Sequence, residues 1–286
     1  MRRFSFILLA YVMASACTIK TLYNQLDWLL ADYLESYVEL SGEQQTSLYK
    51  HLDKALRWHK ASQLPLYVIW LQDFKQDVQG KLTYSQAEQN FTQLHHFFRS
   101  LRAQAADELS GLLIGLSASQ REELYRRMDK KNSDFADRFI HISRAEQLEQ
   151  YTDRMHSRID DWLDSITDEQ EAIIRRSAEK IMPLASYVMQ TRRRWQAEFK
   201  AILESRQDAS TTQQAMHELF VNTERLRSEQ YRAGMQHNQQ VLTNLIVDVA
   251  ASMTKEQRQY FNARVDNYSR YFTELVEEVR VKQLQP

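Results

Sequence analysis

Glycine and proline are scarce, at five and three in 286 residues, where average usage would give roughly twenty and fourteen. Strand-rich folds turn about every 8–12 residues and draw on Gly, Pro and Asn to do so, so an all-β or doubly wound α/β chain is disfavoured. Gly42, Gly80, Gly111, Gly115 and Gly234 form neither GxGxxG nor GxxxxGK, which removes the glycine-rich phosphate loops. One cysteine, Cys17, allows no internal disulfide. The 37 basic and 38 acidic residues nearly cancel, so no field of one sign recommends a nucleic-acid partner. No HExxH and no zinc-spaced His/Cys set is present, so neither a metal nor another cofactor is expected. No GxSxG elbow places a nucleophilic serine, and the chain reads as a non-enzyme, with an unrecognised hydrolase as the enzymatic alternative. What is plentiful is apolar and aromatic: 43% hydrophobic residues, with 14 Tyr, 12 Phe and 5 Trp, too many for a disordered chain. The expected fold class is all-α.

Arg2 and Arg3 precede an apolar run from Phe4 to Met13, followed by Ala14-Ser15-Ala16-Cys17. A short basic stretch, about ten apolar residues and small residues at the exit make a secretory signal peptide over 1–16. The run is too short for a bilayer span, which takes about 20 residues. Small residues immediately before a cysteine resemble bacterial lipoprotein signals, in which that cysteine is acylated and becomes the mature N-terminus. Ala14 departs from the resemblance, standing where those signals usually carry Leu. An ordinary A-x-A signal with an incidental thiol would be cut at the same bond, so only the lipid separates the two readings. Removing 16 residues from 286 leaves an expected mature chain of 270, and the loss of two arginines takes the net charge from −1 to −3. Several acyl chains hold a protein on a membrane where one does not. Thr18, rather than Asp, after the cysteine resembles the outer-membrane sorting signal. The expectation is a periplasmic protein tethered through Cys17 to the inner leaflet of the outer membrane.

One small signal recurs along the chain. Leu40-Ser41-Gly42-Glu43-Gln44, Leu82-Thr83-Tyr84-Ser85-Gln86, Leu116-Ser117-Ala118-Ser119-Gln120, Ile166-Thr167-Asp168-Glu169-Gln170 and Met253-Thr254-Lys255-Glu256-Gln257 all read apolar-[Ser/Thr]-x-x-Gln. Ile142-Ser143-Arg144-Ala145-Glu146 is a version with Glu. This is the capping box: the hydroxyl takes the N3 amide while the Gln or Glu reaches back to the cap amide. The spacing is irregular, so the boxes are punctuation rather than a solenoid repeat. They predict about nine helices, near 20–39, 42–61, 64–79, 83–114, 117–141, 144–164, 168–206, 211–251 and 255–282. Pro65 suits the first turn of the third, Gly80 suits its end, and Pro183 should kink the helix it lies in. Phe261, Val265, Tyr268, Phe272, Leu275 and Val279 step at heptad spacing, the mark of a packed seam. Two packed bundles are expected, an N-terminal one over 17–165 and a C-terminal antiparallel three-helix bundle of long helices over 166–286.

Tyr23-Asn24-Gln25-Leu26-Asp27-Trp28-Leu29-Leu30, then Leu40-Ser41-Gly42-Glu43-Gln44, Trp58-His59 and Leu64-Pro65-Leu66-Tyr67, and later Arg154, Arg158 and Trp162 leading into Ile166-Thr167-Asp168-Glu169-Gln170, together resemble an uncharacterised family of Gram-negative helical lipoproteins, a domain of unknown function. The resemblance covers nearly the whole mature chain and implies fold and location but no catalytic residue. A weaker similarity runs to periplasmic stress chaperones with Leu-Thr-x-x-Gln motifs, which Leu82-Thr83-Tyr84-Ser85-Gln86 matches letter for letter.

Few residues stand out as a site. Asn24 and Asp27 lie three apart amid an apolar face, where they would line a site or tie down a neighbouring backbone. Arg192-Arg193-Arg194-Trp195 is the densest basic run, either a contact for anionic headgroups or an acidic partner, or a solvated face with Trp195 buried beside Phe199 and Ile202. His95-His96 point about 100° apart on a helix and do not suit a metal. The functional expectation is a non-enzymatic envelope interaction or chaperone-like protein with an envelope protein partner. The alternative is a carrier of a small hydrophobic ligand in a cavity between the two bundles.

Overall fold

A computed structural model describes residue 23, residues 25–205 and residues 208–284, and among these there is no strand. The helices are α1 (Leu26–Glu35), α2 (Gly42–Trp58), α3 (Leu64–Gln79), α4 (Tyr84–Ile114), α5 (Ala118–Phe139), α6 (Arg144–Leu163), α7 (Asp168–Lys180), α8 (Ala185–Glu204), α9 (Ala209–Val221), α10 (Glu229–Ala251) and α11 (Lys255–Leu284). Each of the six expected boxes starts a helix, with the hydroxyl and the Gln or Glu both engaged. The all-α expectation holds.

Three expected boundaries differ, each for a local reason. Helices α2 and α3 run on through a π-turn, His59–Gln63, in which Leu64 N–H donates to His59 O. Pro65 has no N–H for the carbonyl four residues back, and the wider turn absorbs the mismatch. Pro183 breaks its helix rather than kinking it. Residues before a proline are pushed out of the helical region, and Asn238 stabilises the break by accepting from Met182 N (2.8 Å) and donating to Met182 O (2.9 Å). Gly234 gives this segment room, since a Cβ there would meet Leu184 Cδ2 at 2.5 Å. The expected helix 211–251 is divided by a 3₁₀ turn, Thr223–Leu226, after which Ser228 caps α10.

The apolar residues form two main cores. One gathers Leu71, Val78, Leu163, Ile174, Leu245, Phe261 and Val265 from α3, α6, α7, α10 and α11. The other gathers Leu48, Leu124, Phe199, Met216 and Leu219 from α2, α5, α8 and α9, with Ala31 of α1. Each core mixes helices from both sides of residue 165. The 31-residue α4, roughly 46 Å long, is the shared spine: Ala87 joins the first core, while Leu109, Leu112 and Leu113 pack on the second.

The heptad seam of α11 is buried, but not inside a bundle of the last three helices. Its length lies antiparallel on α3, through Phe74–Phe261 (ring centroids 5.9 Å), Tyr67–Phe272 (6.3 Å), and Gln72 donating to Ser269 (2.9 Å). Trp162 of α6 covers it from another side. The breaks at 181–184 and 222–228 interrupt the two helices expected before α11, and the 23-residue α10 shares the first core with it through Leu245 and Val249.

The caps are also joined in pairs. Gln170 and Gln257 exchange amide hydrogen bonds (2.9 and 2.8 Å), and Gln257 Nε2 donates onward to Ser165 O (3.0 Å) while Gln170 Nε2 reaches Ser252 O (3.4 Å). Gln44 and Gln120 repeat the arrangement (3.1 and 2.7 Å), reaching Gly115 O and Glu39 O. In both pairs each glutamine contacts the carbonyl two residues before its partner's cap. The same four-residue signal thus starts two helices and ties their starts together.

Candidate functional site

Of the residues singled out in the sequence, Cys17 and Asn24 lie outside the described residues. Asp27 is half-buried on α1, its Oδ1 accepting from Trp28 N at 2.8 Å. The anchoring contact comes from Tyr23 instead, whose hydroxyl meets His59 Nδ1 at 2.6 Å, with Tyr67 edge-on to the imidazole at 5.4 Å. Burial lowers the His59 pKa to about 4 and raises that of Tyr23. The imidazole is therefore neutral at pH 7, and its Nδ1 shares a hydrogen bond with a phenol that keeps its proton.

The arginine run splits three ways, as consecutive helical positions must. Arg192 is half-buried over the Phe135 ring (4.6 Å), Arg193 is exposed, and Arg194 donates to Leu226 O (3.0 Å). Trp195 stacks on Phe199 (4.9 Å) and donates to Leu219 O (3.2 Å). His95 and His96 are exposed. Among the described residues no group of His, Cys, Asp or Glu is arranged to hold a metal, and no helix is long and apolar enough to cross a membrane.

Arg192 borders a partly open cavity of about 390 Å³. Its walls come from α1 and the segment after it (Tyr33, Tyr37, Leu40), the end of α4 (Leu109, Leu112, Leu113), α5, α8 and Phe220 of α9. Helices α5 and α8 run antiparallel here: Arg121 donates to Leu203 O (2.7 Å), Asn132 pairs with Gln196 (2.7 Å), and Arg192 covers Phe135. Along both helices the lining changes in the same direction. It passes from Leu124 and Met128 to Lys131 and Asn132 on α5, and from Phe199 and Trp195 to Gln196 and Arg192 on α8. The cavity thus has an apolar pole and a cationic pole.

At the cationic pole Lys131 Nζ lies 3.1 Å from Ser36 Oγ and 4.3 Å from the centre of the Tyr37 ring. Burial lowers the Lys131 pKa and raises that of Tyr37, while Arg192 pulls the phenol the other way. The sequence reading picked out Arg192 here but missed Lys131, Asn132, Gln196, Tyr33 and Tyr37. The one signal that could have found them is the run of Leu109, Leu112, Leu113 and Leu116 ahead of a highly charged helix.

Residues 36–232 match a family described as a family of unknown function, DUF6279. The chain belongs to that family. Its matched region contains most of the cavity wall from Tyr37 to Phe220 and leaves out Tyr33 and Leu34. No curated protein and no solved structure matches the chain.

Proposed function

We propose that this member of the family is a non-enzymatic binding protein of the bacterial envelope. In this reading it is tethered through lipid on Cys17 and holds a small apolar or amphipathic molecule in the cavity between α1, α4, α5, α8 and α9. The observation that carries it is the cavity itself. Its volume, about 390 Å³, falls within the roughly 300–1,000 Å³ of small-molecule sites, and its make-up of apolar walls with a few convergent polar groups is theirs too. It lies within the second core, lined by segments from both halves of the chain. The run from Arg2 to Cys17 supports the tether and the periplasmic side of the outer membrane. The capping glutamines favour no chaperone-like activity over this, since their amides are occupied at helix starts.

The test uses the full chain carrying Cys17→Ser and the neutral probe N-phenyl-1-naphthylamine. One saturable site, lost in Leu113→Trp with the melting midpoint retained, is the expected result. Leu112→Phe is the second filling variant should the first fold poorly. Absence of saturable binding overturns the carrier reading. Cys17→Ser should also move the protein from the membrane to the soluble fraction, and continued membrane attachment would overturn the tether.

A further inference from the structure

We infer that the cavity takes a single-chain amphiphile with an anionic head, the chain among the leucines of α4 and α5 and the head between Lys131 and Arg192. This rests on the reading of the cavity as a binding site and adds the chemical class of what fills it. The lining contains two cations and no carboxylate. Neither cation has an acidic partner within salt-bridge distance among the described residues: Lys131 meets a hydroxyl and two phenol rings, and Arg192 meets the face of Phe135. Asp134, the carboxylate that acts on Lys131, bonds Lys130 (3.4 Å). One turn earlier, Arg127 is paired with Glu123 and donates to Glu35 O and Ser36 O, so α5 does neutralise its cations elsewhere. A guanidinium stacked on a ring keeps its in-plane N–H groups for a carboxylate or phosphate.

The other polar groups of the lining make no such demand. Asn132 and Gln196 satisfy one another, at 2.7 and 3.3 Å, so the unneutralised charge is confined to one end. The polarity gradient along α5 and α8 then sets the ligand's direction, chain toward Leu124 and Phe199, head toward Lys131 and Arg192. A volume near the bottom of the usual range suits one chain rather than two.

Calorimetric titration of the Cys17→Ser protein with four twelve-carbon probes, each below its micellar concentration, tests this. The probes are laurate, dodecyl phosphate, dodecanol and dodecyltrimethylammonium. At least one of the two anions should bind about tenfold more tightly than dodecanol, and the cation more weakly than either. The better of laurate and dodecyl phosphate identifies the head as carboxylate or phosphate. The double variant Lys131→Gln/Arg192→Gln should bring the anions to the level of dodecanol, with dodecanol binding and the melting midpoint unchanged. Equal binding of anions and dodecanol overturns the anionic head and leaves the cavity reading standing. Failure of all four probes to bind overturns both.

Discussion

The Gln170–Gln257 pair supplies a stability difference that can be worked out group by group. Gln170 is fully buried and Gln257 is 3% exposed. Truncating Gln170 to Ala leaves Thr167 N without its acceptor (3.0 Å) and Ser252 O without its donor (3.4 Å), and removes both bonds exchanged with Gln257. A buried polar group left unsatisfied costs about 1–3 kcal/mol, so Gln170→Ala should cost about 3–5 kcal/mol in all. Gln86→Ala is the control. It removes the same half of a capping box where the cap residue is exposed and the amide reaches only Asp77, and should cost about 1 kcal/mol. Urea unfolding followed by far-UV circular dichroism compares the midpoints at constant slope. In the double-mutant cycle with Gln257→Ala, a coupling of about 1–2 kcal/mol is expected for residues in one network. Equal losses at Gln170 and Gln86, with no coupling, would refute the idea that these caps tie helix starts together.

Three further perturbations follow from named groups. His59 is held neutral in the fold, its pKa lowered from 6.5 to about 4, so its contribution is complete above pH 6.5 and disappears as the pH falls toward 4. The chain should lose about 3 kcal/mol across that window, His59→Gln should lose less, and matching pH profiles of unfolding would contradict the assignment. Asp164 ends α6 at φ 69°, a conformation that glycine adopts without strain, so Asp164→Gly should stabilise by about 0.5–1 kcal/mol; a lowered melting midpoint would count against this. Ser228→Ala discriminates by sign: at the start of α10 it should cost about 1 kcal/mol, whereas inside one continuous helix alanine would stabilise.

Helix starts were legible because the box is chemically complete within four residues, and neighbours are not needed to read it. Ser228 escaped because Tyr231 occupies the place of the reciprocal Gln, leaving half a box. The break at Pro183 was legible as a perturbation, but its extent depends on Asn238, 55 positions on, which supplies the acceptor and donor that Met182 needs. The polar middle of the expected helix 211–251 therefore contains residues that complete another segment's backbone. The partnership of α11 with α3 was illegible for a related reason. A heptad seam states which face is buried but not what buries it, and the expected partners are interrupted.

The cavity was hidden by the way its poles are built. Its wall comes from residues 33–40, 109–132, 192–199 and 220, and within each segment the pattern is an ordinary amphipathic helix. Lys131 and Arg192 sit within the apolar stripes of their own helices, between Met128 and Phe135 on α5 and between Met189 and Trp195 on α8, where a single cation reads as an interruption. Only the antiparallel pairing of α5 and α8 puts the two cations at the same level, beside Tyr37. Two unremarkable helix faces then become a gradient from leucine and phenylalanine to cation. Helices crossing steeply would separate the two cations, and helices running parallel would place Lys131 opposite the apolar pole. The polarity of the cavity is thus a property of the pairing, whose register is held by Arg121 on Leu203 O at one end and by Asn132 with Gln196 further along.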